Sequence, residues 1–269
     1  MPATVNVRRS YADSRYGQLH VATAYPSGGG FDERTPLICL HMSGGSTRAF
    51  GALLPELGRE RSVYAVDLPG HGNSDVATGN LTVADYAGAI TDFANGLRLR
   101  TFDIFGIEAG ALVAAELAIA RGQQVRRVVF ASVPYSSQPI KSISTRGESL
   151  LIDDDGSQIM EEWQRVVKQR GAKVSTPALQ SQFADQLRAG AQAFALRAAM
   201  NEYPTAQRLP LVRQPSLVLC PADDLREQTL RAKSCLAHGS LTELPEFGNG
   251  ILTAAPLKVA QLTRDFLDR

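Results

Sequence analysis

The fold is decided by one stretch, Phe102-Asp103-Ile104-Phe105-Gly106-Ile107-Glu108-Ala109-Gly110-Ala111-Leu112-Val113-Ala114-Ala115-Glu116-Leu117. Its pattern predicts a short buried strand, a tight Gly-x-Glu-x-Gly turn and an alanine-rich helix. Gly106 and Gly110 carry no side chain, so the turn can close and the helix can lie against the sheet. The residue between them, Glu108, is thereby placed at an exposed, strained point at the carboxyl edge of the sheet.

Strand and helix patterns alternate on both sides of this stretch. Apolar runs predict strands at residues 36–40, 63–67, 125–131, 215–220 and 240–244, after two shorter strands at 5–11 and 18–24. Helices are predicted over residues 48–59, 81–97, 226–237 and 257–267. In the second of these helices, Thr82 is the expected N-cap, with Asp85 three residues later. The alternation predicts an α/β protein with a mostly parallel central sheet flanked by helices.

Two loops at strand ends carry a family resemblance. Residues Asp67-Leu68-Pro69-Gly70-His71-Gly72-Asn73-Ser74 are similar to an Asp-x-Pro-Gly-x-Gly-x-Ser turn, and His41-Met42-Ser43-Gly44-Gly45-Ser46 is similar to a loop that supplies half of an oxyanion hole. Together with the turn at Glu108, these loops resemble the α/β-hydrolase superfamily. The resemblance covers essentially the whole chain outside one insertion, and it implies an α/β-hydrolase fold.

The insertion predicts a helical cap. From residue 135 the composition shifts to charge-mixed helical segments, at 157–168, 177–189 and 191–203. The family inserts its cap between two core strands at this place, so we expect a cap over residues 135–210 and a core formed by 1–134 and 211–269. Trp163 of the first segment is a candidate to line the pocket beneath the cap, and ordinary packing within the cap is the equal alternative.

The catalytic triad that the resemblance implies departs from the family at two positions. Where the family has a nucleophile, usually serine, this chain has Glu108, and where it has histidine the chain has Asn249. The acid position falls on Asp224, with Asp223 as the near alternative. Because an amide does not titrate near neutral pH, Asn249 cannot relay a proton, and the usual hydrolytic cycle is not expected.

Three uses of Glu108 are open at this stage. The role of a nucleophile, which aspartate has in some members of the family, is the less favoured one, because the resulting ester still needs a histidine to activate water. If burial raises its pKa, Glu108 can act as general acid or base, and the oxyanion-type N–H donors can stabilise an enolate. If Glu108 is ionised, it can instead occupy those donors itself, as an inactive site would. Only His41 among the histidines is placed to approach it. The expected oxyanion and pocket residues are His41, Met42, Ser43, Ile107, Ala109, Ser132 and Trp163.

The leading functional hypothesis is therefore a small-molecule enzyme, a lyase, cyclase, isomerase or atypical hydrolase acting on an apolar carbonyl compound. The alternatives are a catalytically inactive ligand-binding or partner-binding relative, and a residual hydrolase whose water is activated by Glu108 or Asp224. A small molecule is the expected partner, no cofactor or metal is expected, and a homodimer is left open.

Composition and charge narrow the range of expected partners and cellular locations. A formal net charge of +1 gives no reason to expect nucleic acid or an anionic membrane as a partner. No apolar run approaches the roughly 20 residues of a membrane span. Cys39, Cys220 and Cys235 are odd in number and widely spaced, which favours free thiols over disulfides or a metal site. With no apolar signal pattern at the N-terminus, a cytoplasmic protein is expected.

Overall fold

The computed structural model describes residues 5, 7–26, 33–137 and 155–269. Within them, one sheet contains β1 (Val7–Ser14), β2 (Gly17–Ala24), β3 (Arg34–Leu40), β4 (Arg61–Val66), β5 (Phe102–Ile107), β6 (Val125–Ala131), β7 (Ser216–Pro221) and β8 (Gly239–Leu244). The helices are α1 (Leu54–Leu57), α2 (Val83–Gly96), α3 (Ala109–Ala120), α4 (Ser157–Gln169), α5 (Thr176–Ala189), α6 (Ala191–Glu202), α7 (Thr205–Arg208), α8 (Arg226–Ser234), α9 (Ile251–Ala254) and α10 (Pro256–Leu267).

The sheet has the order β1-β2-β4-β3-β5-β6-β7-β8. β1 and β2 are antiparallel to their neighbours, and the other strands run parallel. The chain leaves β3 for β4 on one side and returns to β5 on the other. Ligands of open α/β sheets bind at the carboxyl ends of strands where the order reverses, so this topology points to the ends of β3 and β5.

Both faces of the sheet are covered, which explains the continuous apolar runs in its central strands, such as residues 37–40 of β3. In β3, Ile38 and Leu40 belong to the core beneath α2 and α3, whereas Leu37 and Cys39 belong to the core beneath α1 and α10. Helix α2 begins with the predicted capping box, in which Thr82 and Asp85 bond each other's backbone N–H groups. The predicted α/β fold with a mostly parallel sheet is confirmed.

The glycines around Glu108 allow α3 to lie almost on the sheet. A Cβ at Gly106 would stand 2.2 Å from the carbonyl oxygen of Gly110, and one at Gly110 would stand 2.1 Å from that of Leu40. No side chain fits such gaps, because real Cβ contacts are longer. The start of α3 is therefore held directly behind the ends of β5 and β3.

Two predicted elements differ most from the structure. The helix predicted over 48–59 is replaced by a 3-10 turn at Thr47–Phe50 and the single turn α1. Gly51 and Pro55 explain the break, since glycine is a poor helix former and proline removes a backbone donor. The strand predicted over 5–11 starts at Val7 and continues to Ser14, because it pairs with β2 over its whole length.

Three helices within the predicted cap range, α4, α5 and α6, lie between β6 and β7 in the chain. We refer to these three helices and the segments that join them as the cap. Residues 138–154 of the predicted 135–210 cap lie outside the described residues, as do 1–4, 6 and 27–32 of the predicted core. In the part of the chain that is described, no helix is long and apolar enough to cross a membrane.

Candidate active site

Glu108 occupies the turn between β5 and α3 in a backbone conformation that few side chains adopt. Its φ is 50° and its ψ is −114°, and its N–H donates to the carbonyl oxygen of Ala131 at 3.1 Å. A non-glycine residue in this region is strained, and such strain persists where the surrounding structure holds it and where a site uses it. The turn thus presents the Glu108 side chain at the carboxyl edge of the sheet.

The carboxylate of Glu108 occupies the two backbone donors expected for an oxyanion. Its Oε2 accepts hydrogen bonds from the N–H of Ser43 at 2.6 Å and from the N–H of Ala109 at 3.1 Å. Among the described residues, no donor is bonded to Oε1. In this arrangement Glu108 holds both donors, as the second of the expected uses describes, and stabilisation of a substrate enolate by them stays a prediction.

Burial raises the pKa of Glu108 above its ordinary value. The N–H groups of Ser43 and Ala109 and the positive charge of Arg197 act in the opposite direction but do not outweigh the desolvation. The acid is consequently a stronger base than a glutamate in water. Its side chain is only partly covered, because it faces a cavity.

His41 does not act on Glu108. It is fully buried, its Nδ1 donates to the carbonyl oxygen of Met42 at 2.7 Å, and its Nε2 accepts from the N–H of Leu68 at 2.9 Å. Burial also lowers the pKa of His41, so the neutral ring ties two loops together. None of the four histidines hydrogen-bonds Glu108, and all four lie in the described residues.

Asn249 and Asp224 form a pair at the edge of the same cavity. Nδ2 of Asn249 donates to Oδ2 of Asp224 at 3.1 Å, and the N–H of Asp224 donates to Oδ1 of Asn249 at 3.4 Å. A third bond joins Nδ2 to the carbonyl oxygen of Gln169 on the cap at 2.8 Å. Among the described residues, the further hydrogen bond of this pair goes to the cap backbone and not to Glu108.

Ser132 and Asp223 form a second polar pair. Ser132 follows β6 with a φ of 48°, and its hydroxyl donates to Oδ2 of Asp223 at 2.5 Å. Burial raises the pKa of Asp223, although the bonds from Ser132 and from the N–H of Leu225 lower it. Both aspartates considered from the sequence therefore face the site, with different partners.

The side chains meet at a cavity of about 320 Å³. It is lined by these residues predicted from the sequence: Met42, Ser43, Ile107, Glu108, Ser132, Asp224 and Asn249. His41, Ala109 and Trp163 do not line it. Trp163 packs against Phe183 of α5, with ring centroids 5.2 Å apart, so it joins two cap helices instead.

The cap supplies lining residues that the sequence pattern did not single out. They are Arg165, Val166, Gln169, Arg170, Val174, Leu179, Gln182, Gln186 and Arg197. The sequence did contain one indication, because Arg165, Val166, Gln169 and Arg170 have the spacing of residues on one face of a helix. The hydroxyl of Ser43 donates to the carbonyl oxygen of Ala193 at 2.7 Å and ties the cap to this site.

A sequence model of the alpha/beta hydrolase family matches residues 37–260. This chain belongs to the alpha/beta hydrolase family. Among solved structures, it is similar to the enol-lactonase from Burkholderia xenovorans, with a TM-score of 0.81 and 16% identity over 97% of this chain and 100% of the other. It is also similar to a carboxylesterase from Bacillus subtilis, with a TM-score of 0.76 and 20% identity over 97% and 92%.

A relative identified by sequence is a dihydrolipoyllysine-residue acetyltransferase component of an acetoin cleaving system from Cupriavidus necator. It is 30% identical over 111 residues, which are 41% of this chain and 30% of the relative. The match thus spans less than a third of that protein. In this member of the alpha/beta hydrolase family, no group of histidine, cysteine, aspartate or glutamate side chains among the described residues is arranged to hold a metal.

Proposed function

We propose that this protein is a small-molecule enzyme in which Glu108 is a general acid/base and no covalent intermediate forms. One observation carries the proposal: one oxygen of the Glu108 carboxylate is held by the backbone, and the side chain still faces the cavity. Oε2 of Glu108 is bound by two backbone N–H groups, while the side chain lines the cavity. A carboxylate anchored through one oxygen keeps a defined orientation, and the other oxygen remains able to exchange a proton with a ligand.

The electrostatics support this role. Burial raises the pKa of Glu108 and brings its titration closer to neutral pH, where a general acid or base is most effective. The reactions that fit are removal of a proton beside a carbonyl group and the elimination, cyclisation or isomerisation that follows. None of these needs the histidine that hydrolysis requires.

A covalent hydrolytic route has less support. If Glu108 attacked a substrate, the resulting ester would need a base to activate water. Asn249 does not titrate, and both ring nitrogens of His41 bond backbone groups. A hydrolase in which Asp224 or Glu108 activates water directly stays a prediction, as Asp224 is exposed and bonded to Asn249.

A ligand-binding protein without chemistry is the second candidate. The same two hydrogen bonds favour it, because Glu108 fills the donors that stabilise a developing oxyanion in the hydrolases this fold resembles. In that case the cavity would bind its ligand and release it unchanged.

Exchange of ligand α-protons for solvent deuterium distinguishes an enzyme from a ligand-binding protein, even when the product is not known. We would incubate the protein with small ketones and keto acids in D₂O and follow loss of the α-proton signals by NMR. An enzyme of the proposed kind accelerates exchange, and Glu108→Gln reduces the acceleration by roughly a hundredfold or more. Glu202→Gln, at an exposed carboxylate on α6, serves as the matched control and should leave exchange unchanged.

Acceleration that survives in Glu108→Gln would reject the acid/base role. No acceleration for any compound, combined with saturable binding of some of them, would favour the ligand-binding candidate. A substrate fragment attached to Glu108, detected by mass spectrometry of the intact protein, would instead support a nucleophilic role.

A further inference from the structure

Three arginines line the cap side of the cavity, and the charge of one of them, Arg197, acts on Glu108 without forming an ion pair. Arg165 is paired with Glu162, and Arg170 bonds the hydroxyl of Thr176 at 3.3 Å. Arg197 lines the same cavity, and no carboxylate of the described residues lies within 4.0 Å of its guanidinium. Its guanidinium carbon lies 5.7 Å from the centroid of the Phe194 ring.

A smaller cavity of about 190 Å³ adjoins the first and is mainly apolar. Both cavities are lined by Met42, Gln182, Gly250 and Leu252, so they share a wall. Ala49 and Ala178 complete the apolar surface of the smaller one. Arg48 and Asp185 also line the smaller cavity, but they pair with each other. A ligand that reaches both spaces therefore meets the guanidinium of Arg197 in one and a mainly apolar wall in the other.

We propose that the site binds a carboxylic acid with a short apolar arm, whose carboxylate pairs with Arg197 and whose arm enters the smaller cavity. A ligand of this class is the substrate of the enzyme proposed above only if that proposed function holds. Because Glu108 holds the N–H groups of Ser43 and Ala109, those donors do not serve a ligand anion, and a guanidinium is the remaining group suited to one.

Three carboxylates also line the main cavity and would oppose an anion if all were ionised: Glu108, Asp223 and Asp224. Burial raises the pKa of Glu108 and of Asp223, which lowers the negative charge at those positions. Asp224 accepts a hydrogen bond from Asn249, which shields one of its oxygens. The cap therefore remains the electropositive side of the cavity.

Binding of hexanoate and of its neutral analogue hexanamide, measured by calorimetry, tests the proposal. We expect hexanoate to bind more tightly than hexanamide. Arg197→Gln should weaken hexanoate binding roughly tenfold to a hundredfold and leave hexanamide within about twofold, since a charge-assisted bond is lost. Arg197→Lys should retain part of the preference. Arg188→Gln, at an exposed cap arginine outside the cavity, should change neither ligand.

Equal binding of the two ligands, no saturable binding of hexanoate, or an equal effect of Arg197→Gln on both would overturn the proposal. The outcome is independent of turnover, because Glu108→Gln should keep the hexanoate preference even where it abolishes proton exchange. The binding measurements can therefore reject the proposed substrate class without rejecting the acid/base role of Glu108, and the exchange measurements can do the reverse.

Discussion

The backbone N–H of Ser43 donates a 2.6 Å hydrogen bond to the carboxylate of Glu108, across 65 positions of the chain. It joins the loop after β3 to the turn after β5, two neighbouring strands of the sheet. The Glu108 side chain is therefore held in one position at the edge of the cavity and does not move freely within it. Its buried charge has consequences for stability as well as for chemistry.

Glu108→Gln is expected to stabilise the fold at neutral pH. Burial raises the folded-state pKa of Glu108, so this group favours folding at acidic pH, below its unfolded pKa, and that contribution is lost as pH rises through the folded pKa. The neutral amide avoids the loss, and its oxygen can accept the same N–H groups. We expect a gain of about 0.5–2 kcal/mol in the free energy of unfolding at pH 7.

Urea unfolding at neutral and acidic pH measures this effect, and the gain should shrink in acid, where wild-type Glu108 is protonated. Glu116→Gln is a matched comparison on the same helix. It should lower stability, because Glu116 is bonded to Tyr203 and Arg208. A Glu108→Gln variant less stable than wild type at pH 7 would show that the two N–H bonds outweigh the buried charge.

Restoring a serine and a histidine should create weak esterase activity. In Glu108→Ser, the N–H groups of Ser43 and Ala109 are released to bind an oxyanion. In Asn249→His, the ring takes the place of an amide that already bonds Asp224 at 3.1 Å. We expect the double variant to hydrolyse p-nitrophenyl acetate roughly a hundredfold faster than either single variant, since a general base contributes about that much.

The two single variants and a Glu108→Ser, Asn249→Ala double variant are the controls. If Glu108→Ser, Asn249→His is no faster than these, the ring does not reach the serine. The bond from Asn249 to the carbonyl of Gln169 is then the feature to examine, because it draws the side chain towards the cap.

Ser132 allows the cost of its strained backbone to be separated from its hydrogen bond. At a φ of 48°, alanine keeps the strain and glycine removes it, while both lose the bond to Asp223. Ser132→Ala should therefore be less stable than Ser132→Gly by about 1 kcal/mol in the free energy of unfolding. Equal stabilities would mean that the turn relaxes when the hydroxyl is removed.

Much of the core could be predicted because it leaves local marks in the sequence. The capping box of Thr82 and Asp85 and the close packing of Gly106 on Gly110 follow from short-range sterics and hydrogen bonding. The break in the helix predicted over 48–59 was missed although Gly51 and Pro55 were present, since the apolar spacing there also fits a helix.

The charge lining the cavity could not be predicted in the same way. Arg197 belongs to a cap helix with solvent on one side and the cavity on the other, and both favour polar side chains. Trp163 shows the same difficulty, because a large aromatic residue in the cap suits packing on Phe183 as well as it suits a ligand. Which side of a cap helix faces the cavity is decided by tertiary packing, which no local pattern records.

A buried arginine on the opposite edge of the sheet predicts how the C-terminus contributes to stability. Arg61 is fully buried and bonds Asp268, and Arg34 bonds the same carboxylate at 2.5 Å. Asp103 is the other acid near Arg61, at 3.7 Å. Asp268→Asn leaves the buried guanidinium poorly compensated, so we expect a loss of about 1–3 kcal/mol in the free energy of unfolding, less than for a fully buried pair because Asp268 is partly exposed.

The loss should depend on pH in a definite direction. Burial alone would raise the pKa of Asp268, but the bonds from Arg34 and Arg61 lower it below its ordinary value. A lowered folded pKa means that the stabilisation is present above the unfolded pKa and disappears as pH falls through the folded one. The difference between wild type and Asp268→Asn should therefore be full at pH 7 and shrink in acid. Asp265→Asn, at an exposed position of α10, should change stability by less than about 0.5 kcal/mol, and a comparable loss there would show that the helix end, rather than the ion pair, is responsible.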